Sequence, residues 1–211
     1  MTTIPWPRTA VLGAGAVGCY YGGMLARAGA PVTLIGRPAH VAAIRRDGLL
    51  LDTLHFREYV KADAATAPEA VAGAALVLVC VKSGDTEEAA RSIAPHLARE
   101  ATVVSLQNGV DNAARMRPLL AAEVLAAVVY VGCQMAGAGH VRHTGRGDLV
   151  IGGQTGSAEG ARRAAAAAAV FERAGVPCKV ASNVDGELWT KLIINSANNA
   201  TCAHSRQQYG A

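Results

Sequence analysis

Aromatic residues make up only 4% of this 211-residue chain, so a core of stacked rings is excluded. Abundant alanine and 23 glycines point instead to helices packed closely on a sheet. Basic residues form no run: 20 Lys and Arg against 16 Asp and Glu leave a net charge of +4. No aromatics interleave with them, as a nucleic-acid surface would require, which predicts a small-molecule partner and no nucleic acid. No stretch approaches the roughly 18 apolar residues of a membrane span. The apolar segment from Ala10 to Ala26 is broken by five glycines and lacks the basic flank of a signal peptide. There is no Cys-x-x-Cys pair; Cys19, Cys80, Cys133, Cys178 and Cys202 are odd in number and far apart. Such scattered thiols, mostly among Val, Leu or Ala, fit a reducing cytoplasm better than a disulfide framework. Nor do the six histidines show ligand spacing. His140 and His143, three apart in an extended segment, face opposite sides, so no metal is predicted. The expectation is a soluble, cytoplasmic protein.

What is present is an alternation of short β-rich runs and helical segments, the signature of a parallel sheet covered by helices. With 51% apolar residues the chain can bury a sizeable core. Strands are predicted at Thr9–Leu12, Val32–Ile35, Leu76–Val81, Thr102–Leu106, Val124–Val131 and Val176–Ala181. The run LVLVCV at Leu76–Val81 has no polar residue, as a central strand buried on both faces requires. Helices are predicted at Ala16–Ala28, Ala39–Arg46, Thr86–Ala94 and Ala158–Ala174, the last with six consecutive alanines, Ala164–Ala169. Leu49–Leu51 and Phe56–Val60 read as a pair of extended segments, and GCQMAGAG, HVRHTGRG and DLVIGG as meandering β structure. From Val184 the pattern is helical again. The fold class is therefore α/β, a Rossmann-type doubly wound sheet followed by the start of an all-α second domain.

Gly13-x-Gly15-x-x-Gly18 directly follows the first strand and opens the first helix. In that context it predicts a dinucleotide site: Gly13 for the tight turn, Gly15 for approach to a pyrophosphate, Gly18 for helix–strand packing. The candidate cofactor contacts here are Gly13, Ala14, Gly15, Ala16, Val17 and Gly18. An NAD site usually carries an acid at the end of the second strand to hold the ribose 2′-hydroxyl. That strand ends Leu34-Ile35-Gly36-Arg37, and no Asp or Glu occurs before Asp47. A guanidinium there suits a 2′-phosphate, so Arg37 predicts NADPH/NADP over NAD.

Two polar turns fall at strand ends, where a doubly wound sheet binds ligands: Lys82-Ser83 and Gln107-Asn108-Gly109. Either reads equally as a ligand site or an ordinary loop. On the last helix Lys191, Asn195 and Asn199 recur every four residues, so they share one face and rise about 6 Å per step. This stripe suits a polar cleft. It equally suits a Glu187–Lys191 surface ion pair with solvated asparagines.

Five segments in order, GAGAVGCYYGGMLARAG, VCVKSGD, SLQNGVDN, HVRHTGRGDLVIGG and WTKLIINSANNA, resemble the ketopantoate reductase (2-dehydropantoate 2-reductase) family. The resemblance runs from about Thr9 to Ala200. It implies NADPH-dependent reduction of 2-dehydropantoate, a 2-oxo acid, to pantoate on the route to pantothenate. It further implies Lys191 as general acid, Asn195 and Asn199 on the substrate's hydroxyl and carboxylate end, and Asn108 near nicotinamide and substrate. Lys82 resembles a cofactor-side lysine and Arg37 the 2′-phosphate ligand. Residues 1–183 are expected to form the NADP-binding unit and 184–211 the beginning of a truncated helical substrate and dimerisation domain. The family's homodimer is expected where that domain is present. The remainder of that domain supplies a serine and a glutamate in the family. The alternatives are a reductase of another 2-oxo acid in the family, or an NADP-binding module without turnover.

Overall fold

Short apolar runs separated by glycine turns become strands, and the periodic segments between them become covering helices. The computed structural model describes the backbone of residues 5–205 and the side chains of residues 5–197. In chain order the first half contains β1 (Thr9–Leu12), α1 (Ala16–Arg27), β2 (Val32–Ile35), α2 (Pro38–Asp47), β3 (Leu49–Asp52), β4 (Arg57–Val60), β5 (Asp63–Ala65), β6 (Leu76–Val79) and α3 (Thr86–Ile93). The second half contains β7 (Thr102–Ser105), α4 (Asn112–Met116), β8 (Glu123–Gly137), β9 (His140–Gly152), α5 (Ala158–Arg173), β10 (Cys178–Val180) and α6 (Val184–Ser205).

Strands β5-β2-β1-β6-β7-β8 lie side by side and parallel. Beyond them β9 returns antiparallel to β8, β3 pairs parallel with β9, and β4 closes antiparallel on β3. β10 pairs β9 off the main path. The winding starts at β1, moves out through β2 to β5, and then resumes on the other side of β1 at β6. This reversal makes the carboxyl ends of β1 and β6 the natural ligand crevice of the sheet.

Strand periodicity divides the core into two layers. Val11, Leu34, Leu78 and Val104 face one layer, with Tyr21 and Leu25 of α1 and Ala164 and Phe171 of α5. Ala10, Leu12, Val77 and Val103 face the other, with Ile93 of α3, Met116 of α4 and Val184 and Leu188 of α6. Each fully buried side chain of this size contributes about 1.5–3 kcal/mol, so the all-apolar β6 is strongly held in the centre. The alanines of α5 allow close approach: Gly153 and Gly160 come so near that a Cβ on Gly153 would lie 2.5 Å from the Gly160 Cα. Ser157 caps this helix, its Oγ accepting from the Gly160 N–H at 2.9 Å.

The extended pair expected at Leu49–Leu51 and Phe56–Val60 is the β3–β4 hairpin. The three glycine-punctuated pieces are not separate meanders. They join the preceding strand in one long β8–β9 hairpin, whose ladder absorbs the glycines as register shifts at Tyr130/Val131, Gly132/Cys133 and Met135/Gly137. Three residues, Asp63–Ala65, form an edge strand too short for sequence periodicity to register.

Candidate active site

The glycine turn occupies the crevice, and its three glycines do three different things. Gly13 has a φ of +107°, and a Cβ there would lie 2.8 Å from the backbone of Cys80 and Val81. The turn is thus pressed against the end of β6 and only glycine fits. Gly18 must also be bare, since a Cβ would stand 2.2 Å from the Gly13 carbonyl oxygen. At Gly15 the reverse holds: no atom lies within 4 Å of a Cβ position, so space opens in front of the turn. Ala16, Val17 and Gly18 begin α1, whose first-turn N–H groups have no intrahelical acceptor. No acidic residue stands in that turn. An anion is favoured there by both the N–H groups and the helix dipole. Ala14 is buried behind the turn against Gly36, where a Cβ would come within 2.7 Å of the Ala14 Cβ.

That contact brings Arg37 beside the turn. It caps α2 in an extended conformation, is solvent-exposed, and forms no ion pair among the described residues. Lys82 is exposed directly beyond β6, at the turn that leads to α3.

The next strand end completes the cluster. Asn108 follows β7, with its side chain exposed, and its Oδ1 accepts a hydrogen bond from the Lys191 Nζ at 2.9 Å. The Lys191 ammonium also donates to the Val129 carbonyl at 2.5 Å and stands 5.6 Å above the Tyr130 ring. Residues 83 positions apart in sequence thus meet because α6 packs across the middle of β8, next to the turn after β7. The Glu187–Lys191 ion pair that one reading of the helical stripe allowed is not formed among the described residues. Burial pushes the Lys191 pKa down from its ordinary value, and the neighbouring Arg146 guanidinium adds to the effect.

Asn195, one turn on, lines a pocket of about 410 Å³ together with Lys191, Tyr130, Arg146, Asp148 and Lys179. Asn199 lies on the same helix, but its side chain falls outside the described residues. The structure therefore brings together the glycine turn, Arg37, Lys82, Asn108, Lys191 and Asn195 along one edge of the sheet.

Two pocket residues escape a sequence reading. Tyr130 sits in what reads as an ordinary strand, and Arg146 in a glycine-punctuated hairpin. Arg146 has a φ of +55° between Gly145 and Gly147. Its guanidinium lies 4.1 Å from the Tyr130 ring centre and donates to both oxygens of Asp148. That pairing holds the Asp148 carboxyl below its usual range. A lone Arg flanked by two glycines was the available signal. Gln107, in a turn that reads equally as a ligand site or an ordinary loop, turns inward and is buried.

Fold and site together define a Rossmann-type α/β protein with a lysine-bearing helix packed beside the strand-end turns of its sheet. A family model described as ketopantoate reductase PanE/ApbA matches residues 9–156. The 2-dehydropantoate 2-reductase of Halobacterium salinarum is 37% identical, covering 97% of this chain and 67% of its own. That of Pyrococcus horikoshii is 33% identical over 95% of this chain and 65% of its own. A PanE/ApbA family ketopantoate reductase structure from Ralstonia eutropha superposes with a TM-score of 0.85 at 56% identity, covering 94% of this chain and 64% of that one. The chain belongs to the ketopantoate reductase PanE/ApbA family. It spans about two thirds of the length of these relatives. Among the described residues no helix is long and apolar enough to cross a membrane.

Proposed function

We propose that this chain binds NADPH and carries the proton donor for reduction of a 2-oxo acid, 2-dehydropantoate, to the 2-hydroxy acid pantoate. The observation that carries the proposal is the Lys191 ammonium, held at 2.9 Å by Asn108 beside the ligand crevice. The relatives named 2-dehydropantoate 2-reductase support the choice of substrate.

The site suits a dinucleotide. The open space before Gly15 admits a pyrophosphate, and the first turn of α1 offers it N–H groups. Arg37 and Lys82, both exposed, stand ready for phosphate, and the absence of any acid before Asp47 favours a 2′-phosphate over a free ribose hydroxyl. Bound there, NADPH supplies a hydride to the ketone carbon. Negative charge then develops on the ketone oxygen, and Lys191 stabilises it and delivers a proton, so C=O becomes CH–OH. Asn108 aims the ammonium, and Asn195 offers its amide to the substrate's polar end. The pocket walls carry three cations, Arg146, Lys179 and Lys191, against one carboxylate, Asp148, which favours an anionic substrate.

Residues 1–183 form the dinucleotide unit in this reading, and α6 begins a helical substrate unit. Past Leu188 the helix leaves the core: Trp189, Ile193 and Ile194 are 50–66% exposed. The test is NADPH oxidation with a panel of 2-oxo acids. Highest kcat/KM for 2-dehydropantoate supports the proposal; a clear preference for another 2-oxo acid overturns the substrate, and no oxidation with any of them overturns the reaction.

A further inference from the structure

Beneath Asn108 lies a polar network that no cofactor or substrate contact explains. Thr86, Ser105, Gln107 and Asn112 are all buried, yet each is hydrogen-bonded. The Gln107 Nε2 donates to the Thr86 Oγ1 at 2.8 Å and to the Val81 carbonyl at 3.2 Å, and its Oε1 accepts from the Ser105 Oγ at 2.9 Å. The Thr86 Oγ1 stands 3.0 Å from both the Asn112 Oδ1 and the Ser83 carbonyl oxygen, two acceptors that share its single proton. The Asn112 Nδ2 then donates to the Asn108 carbonyl at 2.9 Å, and the Ser83 Oγ donates to the same oxygen at 2.7 Å.

The network ends on the backbone of the residue whose side chain holds Lys191. It also ties the turn after β6, which carries Lys82, to the turn after β7. An independent feature agrees: Gly109 has a φ of +117°, and a Cβ there would lie 2.9 Å from the Asn112 Nδ2. The Gln-Asn-Gly turn is therefore built so that Gln107 anchors inward, Asn108 projects outward, and Gly109 leaves room for the amide that grips the Asn108 carbonyl. Buried polar groups so connected fix one geometry, because any shift leaves several of them unpaired.

We propose that Thr86 and Asn112 are positioning residues, which hold the Asn108 carbonyl and thereby aim its side chain at the Lys191 ammonium. This rests on Lys191 being the proton donor. Neither residue touches substrate or cofactor in this account; both act through Asn108. A misplacement of a fraction of an ångström at a proton donor lowers the rate of the chemical step more than it lowers binding.

Thr86→Val keeps the shape and removes the hydroxyl, whereas Thr86→Ser keeps it. Thr86→Val is expected to lower kcat by about tenfold or more with little change in KM for NADPH, and Thr86→Ser to stay within about threefold of wild type. In an Asn108→Ala background Thr86→Val should cost little further kcat, because the path through Asn108 is already gone. Should Thr86→Val fail to fold, Asn112→Asp keeps the acceptor for Thr86 and removes the donor to Asn108, and it is expected to give the same loss. A second readout needs no substrate: NMR titration of ¹³C-methylated lysines, with Lys191 assigned by its loss in Lys191→Arg. Thr86→Val should displace the Lys191 midpoint as Asn108→Ala does, and Thr86→Ser should leave it in place. An undisplaced midpoint in both Thr86→Val and Asn112→Asp overturns the network, as does full additivity with Asn108→Ala. Failure of wild type to reduce any 2-oxo acid overturns the reaction instead, and the titration still decides the network.

Discussion

Arg37 and Lys191 carry the functional argument, and each gives a distinct expectation. Arg37 is exposed and unpaired among the described residues, so it is free to hold a phosphate. Arg37→Ala should weaken NADPH by about 1–3 kcal/mol, the scale of a charged hydrogen bond, and leave NADH nearly unchanged in a fluorescence titration. Equal loss for both cofactors would assign Arg37 to the fold. With Lys191 as the proposed proton donor, only its charged form can act, so activity should fall as pH rises through its pKa. Burial and Arg146 both lower that pKa, which places the alkaline limb below the range of an ordinary lysine. Arg146→Gln removes one of the two causes and should move the limb of the kcat–pH profile to higher pH. A limb that stays in place would show that Arg146 does not act on Lys191.

At the scale of elements the glycine turn separates folding from binding. Gly18→Ala drives a Cβ into the Gly13 carbonyl and should cost about 1–3 kcal/mol of stability, read as a lower denaturation midpoint. Gly15→Ala meets no atom of the protein and should leave the midpoint unchanged. Its methyl group would instead fill the approach to the turn and weaken NADPH about tenfold or more. The reverse pattern would contradict this assignment of the two glycines. Much of this element was legible in advance, because a strand, a glycine motif and a helix are local features of consecutive residues. Lys191 was legible by its spacing with Asn195, but its partner was not: Asn108 comes from a distant strand end, and only the packing of α6 decides between it and Glu187. Arg146 and Tyr130 were missed for the same reason, since the β8–β9 hairpin absorbs its glycines as register shifts and periodicity shows neither its length nor where its side chains point. That Gln107 faces inward was not legible, because its partners Thr86 and Val81 come from the segment after β6.

On the scale of the whole molecule, one doubly wound sheet collects turns from β1, β2, β6 and β7 at a single edge, and α6, packed on β8 and β9, sets its lysine against the turn after β7. Beyond Leu188 that helix presents Trp189 and Ile193, one turn apart and 55% and 66% exposed. An uncovered apolar face of this kind promotes association. Trp189→Gln with Ile193→Gln should reduce self-association of the 211-residue chain in sedimentation velocity while leaving NADPH affinity unchanged. Association that persists unaltered would place the contact elsewhere. The central claim is that a dinucleotide site and a lysine proton donor act together on a 2-oxo acid. The most direct test is to follow NADPH oxidation by 2-dehydropantoate in wild type and Lys191→Ala, with NADPH binding measured on both. Oxidation matched by pantoate formation is expected in wild type, and a rate lower by roughly 10² or more in the variant at unchanged NADPH affinity. Wild type that binds NADPH but leaves 2-dehydropantoate unreduced, or a variant that keeps most of its turnover, would contradict that claim.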